Sequence, residues 1–135
     1  LVLTHDHVDH ASGALAACAR WGWRLHATAG TRAALAAAGG DLPAAAALTP
    51  GVVTRIGGLS LDGILVPHDA REPVALTITD DGSGARIGIV LDCGHVTPAL
   101  EQAMARLDLL VVEANHDPEL LRTGPYPWPL KARIR

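Results

Sequence analysis

The chain has 135 residues, of which 49% are hydrophobic and 19% charged, with a formal net charge of −3 at pH 7. This balance excludes a disordered chain and gives no overall electrostatic pull toward nucleic acid. The length fits one domain or a piece of one, read as a single domain over residues 1–135. There is no Phe, one Tyr and three Trp, so the core must be built from Leu, Val, Ile and Ala. Cys18 and Cys93 form no C-x-x-C pair, a usage that suits a reducing, cytosolic compartment. No apolar run approaches a membrane span. The first residue is Leu rather than Met, and the opening reads as the inside of a strand, so an upstream N-terminus is expected.

In chain order, Leu1–Thr4 reads as the end of a buried strand that runs into a His-rich loop. Ala11–Gly22 carries Leu15, Cys18 and Ala19 on one helical stripe, with Gly22 as a stop. Trp23–Thr28 is a short strand, and Thr31 is placed to cap a helix over Arg32–Ala38. Asp41–Gly51 is a loop. Val52–Ile56 and Leu59–Leu61 flank Gly57-Gly58, a hairpin signal. Ile64–Pro67, Val74–Thr79, Arg86–Leu91 and Leu107–Glu113 read as strands, the last two buried. Thr97–Arg106 is a helix with Thr97 as cap and Pro98 at its first position. Short helices are expected over Asp117–Arg122 and Pro129–Arg135. Interleaved strands and helices imply an α/β layered fold with polar residues gathered at strand ends.

His5 and His7 are two apart, so in extended backbone their imidazoles face the same way and can meet one metal ion. Asp9 and His10 follow on the turn before a helix, where a second ion fits. Zinc and manganese both accept this mixture of imidazole nitrogen and carboxylate oxygen. His68 ends a strand; alone it reads as a structural hydrogen-bonder, but an ion held by two His wants a third ligand. Asp92 ends an apolar strand and has two oxygens, which suits a bridging ligand or, equally, a turn cap. Glu113 and His116 read either as residues that orient metal ligands or as a loop anchor. His26 and His95 read as structural, and Cys93 has no partner that would activate it. Arg122, Lys131, Arg133 and Arg135 form either a basic patch or a solvated helix face.

Thr4-His5-Asp6-His7-Val8-Asp9-His10 resembles the signature of the metallo-β-lactamase fold superfamily. Pro67-His68-Asp69-Ala70 is similar to its HDA segment, and Asp92-Cys93-Gly94-His95-Val96 to its TDxGxV segment, with Leu91 where Thr is usual. Glu113-Ala114-Asn115-His116-Asp117, Tyr126-Pro127 and Leu130-Lys131-Ala132-Arg133-Ile134 resemble the ExNHD, YP and LKxRI runs of the YycJ/WalJ-like branch, which is linked to 5′-to-3′ exonuclease activity on DNA. The resemblance implies a metallo-β-lactamase-like αββα sandwich, incomplete at both termini, since the branch's opening strands and a later GHxS histidine are missing. It implies that His5, His7 and His68 hold one divalent ion, that Asp9 and His10 hold a second, and that Asp92 bridges them.

The activity so implied is phosphodiester hydrolysis by a hydroxide shared between two ions, zinc or manganese. In that scheme Asp9 orients the nucleophile, His116 protonates the leaving oxygen, and Asn115, Lys131 and Arg133 bind the nucleic acid, most simply DNA. A thioester or other carbonyl-ester hydrolase of the glyoxalase II kind uses the same chemistry and is the alternative, beside an inactive metal-binding fragment. Oligomeric state is not readable from the sequence.

Overall fold

The structure, a computed structural model, describes residues 1–39, 42, 45–114 and 117–134, the side chains of 130, 133 and 134 excepted. The predicted first strand is reduced to a parallel bridge between Val2 and His26. The helix expected from Ala11 starts earlier and breaks at Ser12-Gly13, giving α1 (Val8–Ala11) and α2 (Ala14–Trp21). Neither has a side-chain cap, and Gly13 is a poor helix former. Gly22 ends α2 in the left-handed conformation, as expected of a helix stop. After β1 (His26–Ala27) comes α3 (Ala29–Ala37). Its cap is Thr28, whose hydroxyl accepts the Thr31 N–H, so the helix starts three residues before the position predicted from Thr31. β2 (Ala46–Ala47) pairs in parallel with β1.

The hairpin at Gly57-Gly58 joins β3 (Thr54–Ile56) to β4 (Leu59–Leu65), with Gly57 at φ 61°. Then follow β5 (Val74–Asp80), β6 (Arg86–Val90), α4 (Pro98–Ala103), β7 (Leu109–Val112), α5 (Pro118–Thr123) and α6 (Trp128–Ile134). Thr97 and Asp117 cap α4 and α5, each with Pro just inside the helix. The larger sheet has the order β3-β4-β5-β6-β7, antiparallel except between β6 and β7. Two antiparallel steps make β4 and β6 run the same way, and β7 follows β6. The C-terminal ends of β4, β6 and β7 therefore lie along one sheet edge, together with the N-terminal end of β5.

The strand period of two sorts the core. From β5 and β6, Ala75 and Val90 point to the side where Leu100 and Met104 of the α4 segment pack. Val74, Leu76 and Ile89 point to the other side, against Leu48 and Val2 from the segments around the small sheet. Beyond the small sheet, Leu25 and Ala27 pack with Ala14 and Cys18 of α2 and Leu35 of α3. The layers run helix, large sheet, small sheet, helices, an α/β sandwich. β7 departs from the sequence reading. Leu107–Glu113 was expected to be buried, yet all four residues of β7 are exposed. β7 is an edge strand, and no described element covers its faces. Among the described residues, no helix is long and apolar enough to cross a membrane.

One close approach fixes α3 against the loop that follows His68. The Gly30 N–H donates to Glu72 Oε2, and the Thr28 and Thr31 hydroxyls donate to the carbonyls of Glu72 (2.9 Å) and Arg71 (3.3 Å). These bonds hold Glu72 at φ 57°, a left-handed conformation that a non-glycine residue adopts at a cost. A methyl group on Gly30 would lie 2.6 Å from Glu72 Cβ and 2.9 Å from the Arg71 carbonyl. Helix propensity alone favours Ala over Gly by about 1 kcal/mol. Overpacking against backbone reverses that sign. Gly30→Ala is expected to lower stability by about 1–3 kcal/mol, read as a lower denaturant midpoint; a raised midpoint would show that the loop yields freely.

Candidate metal centre

The sheet edge explains how distant residues meet. His68 follows β4, Asp92 follows β6, and Glu113 follows β7. The His5–His10 segment is pinned to the same edge, because Thr4 O accepts the Val74 N–H at the start of β5 (3.0 Å). Two groups of donors result: His5, His7 and His68, and His5, His10 and Asp92, each with one ligand atom per residue within 4.8 Å of the others. His7 Nδ1 and His68 Nε2 are 3.1 Å apart. His10 Nε2 lies 2.7 Å from Asp92 Oδ2, and His5 Nε2 lies 3.5 Å from the same oxygen.

His5 is the hub. Its side chain is 1% exposed, and its Nε2 is buried with no hydrogen-bond partner. Its Nδ1 is 3.0 Å from Thr4 Oγ1. With the Nδ1 proton given to that hydroxyl, the Nε2 lone pair is left bare and aimed at both donor groups. Burial first, then the neighbouring His10 and His68, together lower the His5 pKa to about 4 against the opposing pull of Asp92. A buried neutral imidazole with an unused lone pair, ringed by other imidazoles and a carboxylate, is the donor chemistry of a divalent-ion site. Two bonds of about 2.0–2.1 Å at a tetrahedral angle put nitrogens about 3.3 Å apart, close to the observed His7–His68 separation. The residues present fit such an ion.

Asp92 stands at φ 50°. Asp tolerates this left-handed conformation better than most residues, and the bond from its N–H to Glu113 Oε2 (2.8 Å) holds it there. Asp9 is placed differently from His10. Its carboxylate is 80% exposed, 3.6 Å from His10 Nε2, and belongs to neither three-donor group. The sequence reading gave no role to Asp69, whose carboxylate reaches His68 Nδ1 (3.3 Å) and His7 Nε2 (3.7 Å). Its adjacency to His68 and its place in the HDA-like segment were the available signals. Asp6, also given no role, accepts the Arg71 N–H (2.8 Å).

The remaining candidates lie apart. The Lys131 ammonium donates to the carbonyls of Arg122 (2.9 Å) and Gly124 (2.7 Å), closing the end of α5. Asn115 and His116 lie outside the described residues, as does the side chain of Arg133. His95 is exposed and in neither group. Cys93 Sγ is 2.9 Å from the His95 carbonyl, and burial raises its pKa, the state of an inert thiol. His26 is buried in β1, its pKa lowered by burial, the N-terminal ammonium and Arg24.

An α/β sandwich that gathers four imidazoles and an Asp at one sheet edge has the metallo-β-lactamase fold. The model of the beta-lactamase superfamily domain matches residues 1–126, and the chain belongs to that family. It is 28% identical over 136 residues to exodeoxyribonuclease YycJ of Bacillus anthracis, covering 99% of this chain and 51% of that protein. It is likewise 28% identical over 138 residues to exodeoxyribonuclease WalJ of Streptococcus pneumoniae, covering 99% and 51%. Among solved structures, Zn(2+)-bound PqqB of Methylobacterium extorquens superposes with a TM-score of 0.74 at 23% identity, over 93% of this chain and 50% of that one. The chain spans about half the length of the curated relatives it matches.

The His5 environment sets a pH dependence. In the unfolded chain His5 titrates near its ordinary value of 6.5, and in the folded chain at about 4. The unfolded state therefore binds more protons between those values, so stability present above pH 6.5 is lost as pH falls toward 4. His26 adds to the loss in the same direction. With chelator present, the chain is expected to lose about 1–3 kcal/mol between pH 7 and pH 5. Thermal melts would follow this, and an unchanged Tm over that interval would contradict it.

Proposed function

We propose that this chain carries the metal-binding half of a hydrolase site that takes two divalent ions and cleaves phosphodiesters, with DNA as substrate. The observation that carries the reading is the pair of donor groups meeting at the bare Nε2 of His5. An imidazole nitrogen has one lone pair, so His5 can serve only one ion. We assign it to the ion held with His7 and His68. His10 and Asp92, with Asp9 swung inward, would hold the other, and the two Asp92 oxygens would bridge. Zinc and manganese both suit this set. When bound, such ions bring water's pKa toward neutrality and neutralise charge on a phosphoryl group.

The chain's own residues have defined tasks in this reading. Thr4 fixes the His5 tautomer. Asp69, next to His68 and within reach of His7, sets the orientation of both rings. Asp9, exposed at the rim, would, once swung inward, both hold the second ion and orient the attacking water. Asn115, Lys131 and Arg133 would bind the DNA, and His116 would protonate the leaving oxygen. The relatives named exodeoxyribonuclease support DNA over a thioester as substrate.

Asp92→Ala is expected to remove about one equivalent of bound metal and to lower cleavage of a 5′-ended DNA substrate at least 100-fold, an order of magnitude set by losing a ligand. Metal content by elemental analysis and a nuclease assay read the two effects. Full metal content together with full activity would remove Asp92 from the site, and turnover of a thioester in preference to DNA would replace the substrate.

A further inference from the structure

Two carboxylates beside the site belong to neither donor group, yet each takes a backbone N–H from a loop that supplies a ligand. Asp6 lies between His5 and His7. Its Oδ1 accepts the Arg71 N–H, three residues past His68 (2.8 Å). Glu113 follows β7, and its Oε2 accepts the N–H of Asp92 itself (2.8 Å). We propose that Asp6 and Glu113 are positioning residues with separate duties: Asp6 sets the His68 loop against His7, and Glu113 sets Asp92 against His10. The proposal rests on the two-ion reading above.

Each bond joins parts of the chain that nothing local would hold in place. Asp6 and Arg71 are 65 residues apart, and the loop beyond Arg71 is already fastened to α3 through Thr28, Thr31 and Gly30. Asp6 supplies the fastening on the opposite side, so the loop carrying His68 is held between the His-rich segment and α3. Asp6 is suited to this because its neighbours His5 and His7 face the ligand side, and alternation turns the residue between them away. Glu113 is itself fixed by backbone: its N–H donates to Val90 O at the end of β6 (3.0 Å). Its carboxylate then reaches the residue two places beyond Val90, which stands in the left-handed conformation. A carboxylate that accepts a backbone N–H makes a charge-assisted bond, stronger than a neutral pair. Residues that orient ligands in this way change metal affinity about 10–100-fold when removed.

The test is a competitive zinc titration of the chain against a chromophoric chelator. His68→Ala and His10→Ala identify which binding step belongs to which donor group. Asp6→Ala is expected to weaken only the step lost in His68→Ala, about 10–100-fold, and Glu113→Ala to weaken the step lost in His10→Ala about 10-fold or more beyond its effect on the other step, which the bridging Asp92 also serves. Asp6→Asn and Glu113→Gln keep an accepting oxygen and are expected to bind close to the unchanged chain. Equal weakening of both steps, or no weakening, overturns the proposal. If an alanine variant does not fold, the amide variants decide in the metal-free chain. The Arg71 amide proton should move upfield only in Asp6→Asn, and the Asp92 amide proton only in Glu113→Gln; unmoved signals overturn the proposal. Fewer than two zinc equivalents on the unchanged chain would refute the two-ion reading, while the amide signals would still decide the roles of Asp6 and Glu113.

Discussion

A buried polar atom without a hydrogen bond is destabilising by about 1–3 kcal/mol, and this fold keeps one such atom, His5 Nε2, at the meeting point of its ligand loops. Around the nitrogen stand other imidazoles, which disfavour a proton on His5, and the Asp92 carboxylate. The arrangement is unfavourable for folding and favourable for capture of a cation. Much of the rest of the structure can be understood as holding it in place.

The sheet does most of that holding. Because β4, β6 and β7 all point the same way, three loops leave the sheet on one edge and bring His68 and Asp69, Asp92, and Glu113 together. The α4 layer and the small sheet cover the two faces of β5 and β6, so the strands that end at the site are anchored on both sides. The ligand loops can then be short. Rigidity comes from the strands beneath them and from a few bonds between loops, such as Asp6 to Arg71 and Glu113 to Asp92.

The layered fold and the gathering of His and Asp donors were legible because they follow from local pattern. The spacing of His5 and His7 gave a shared direction, and apolar runs ending in His68, Asp92 and Glu113 gave strand ends. The Gly57-Gly58 hairpin and the Thr97 and Asp117 caps were also local signals, and the structure has them. What could not be read depended on contacts between distant segments. Nothing near Thr31 in sequence shows that Thr28 caps α3, because the Thr31 hydroxyl is used on Arg71. Nothing in Leu109–Val112 distinguishes a buried strand from an edge strand, since both are apolar runs. The pairing of Asp92 with His10, and the outward stance of Asp9, depend on how α1 leaves the His-rich segment.

The left-handed backbone at Asp92 restricts this position more than its charge does. Gly would suit the backbone but bring no oxygen. Glu would keep two oxygens but has no favoured place at that φ and carries them a carbon further out. Cys would offer a softer donor and meet the same steric penalty. Asn alone shares the conformational tolerance, with one carbonyl oxygen and no negative charge. Any exchange of Asp92 for a different donor, in nature or in the laboratory, would therefore have to rebuild the turn after β6 first.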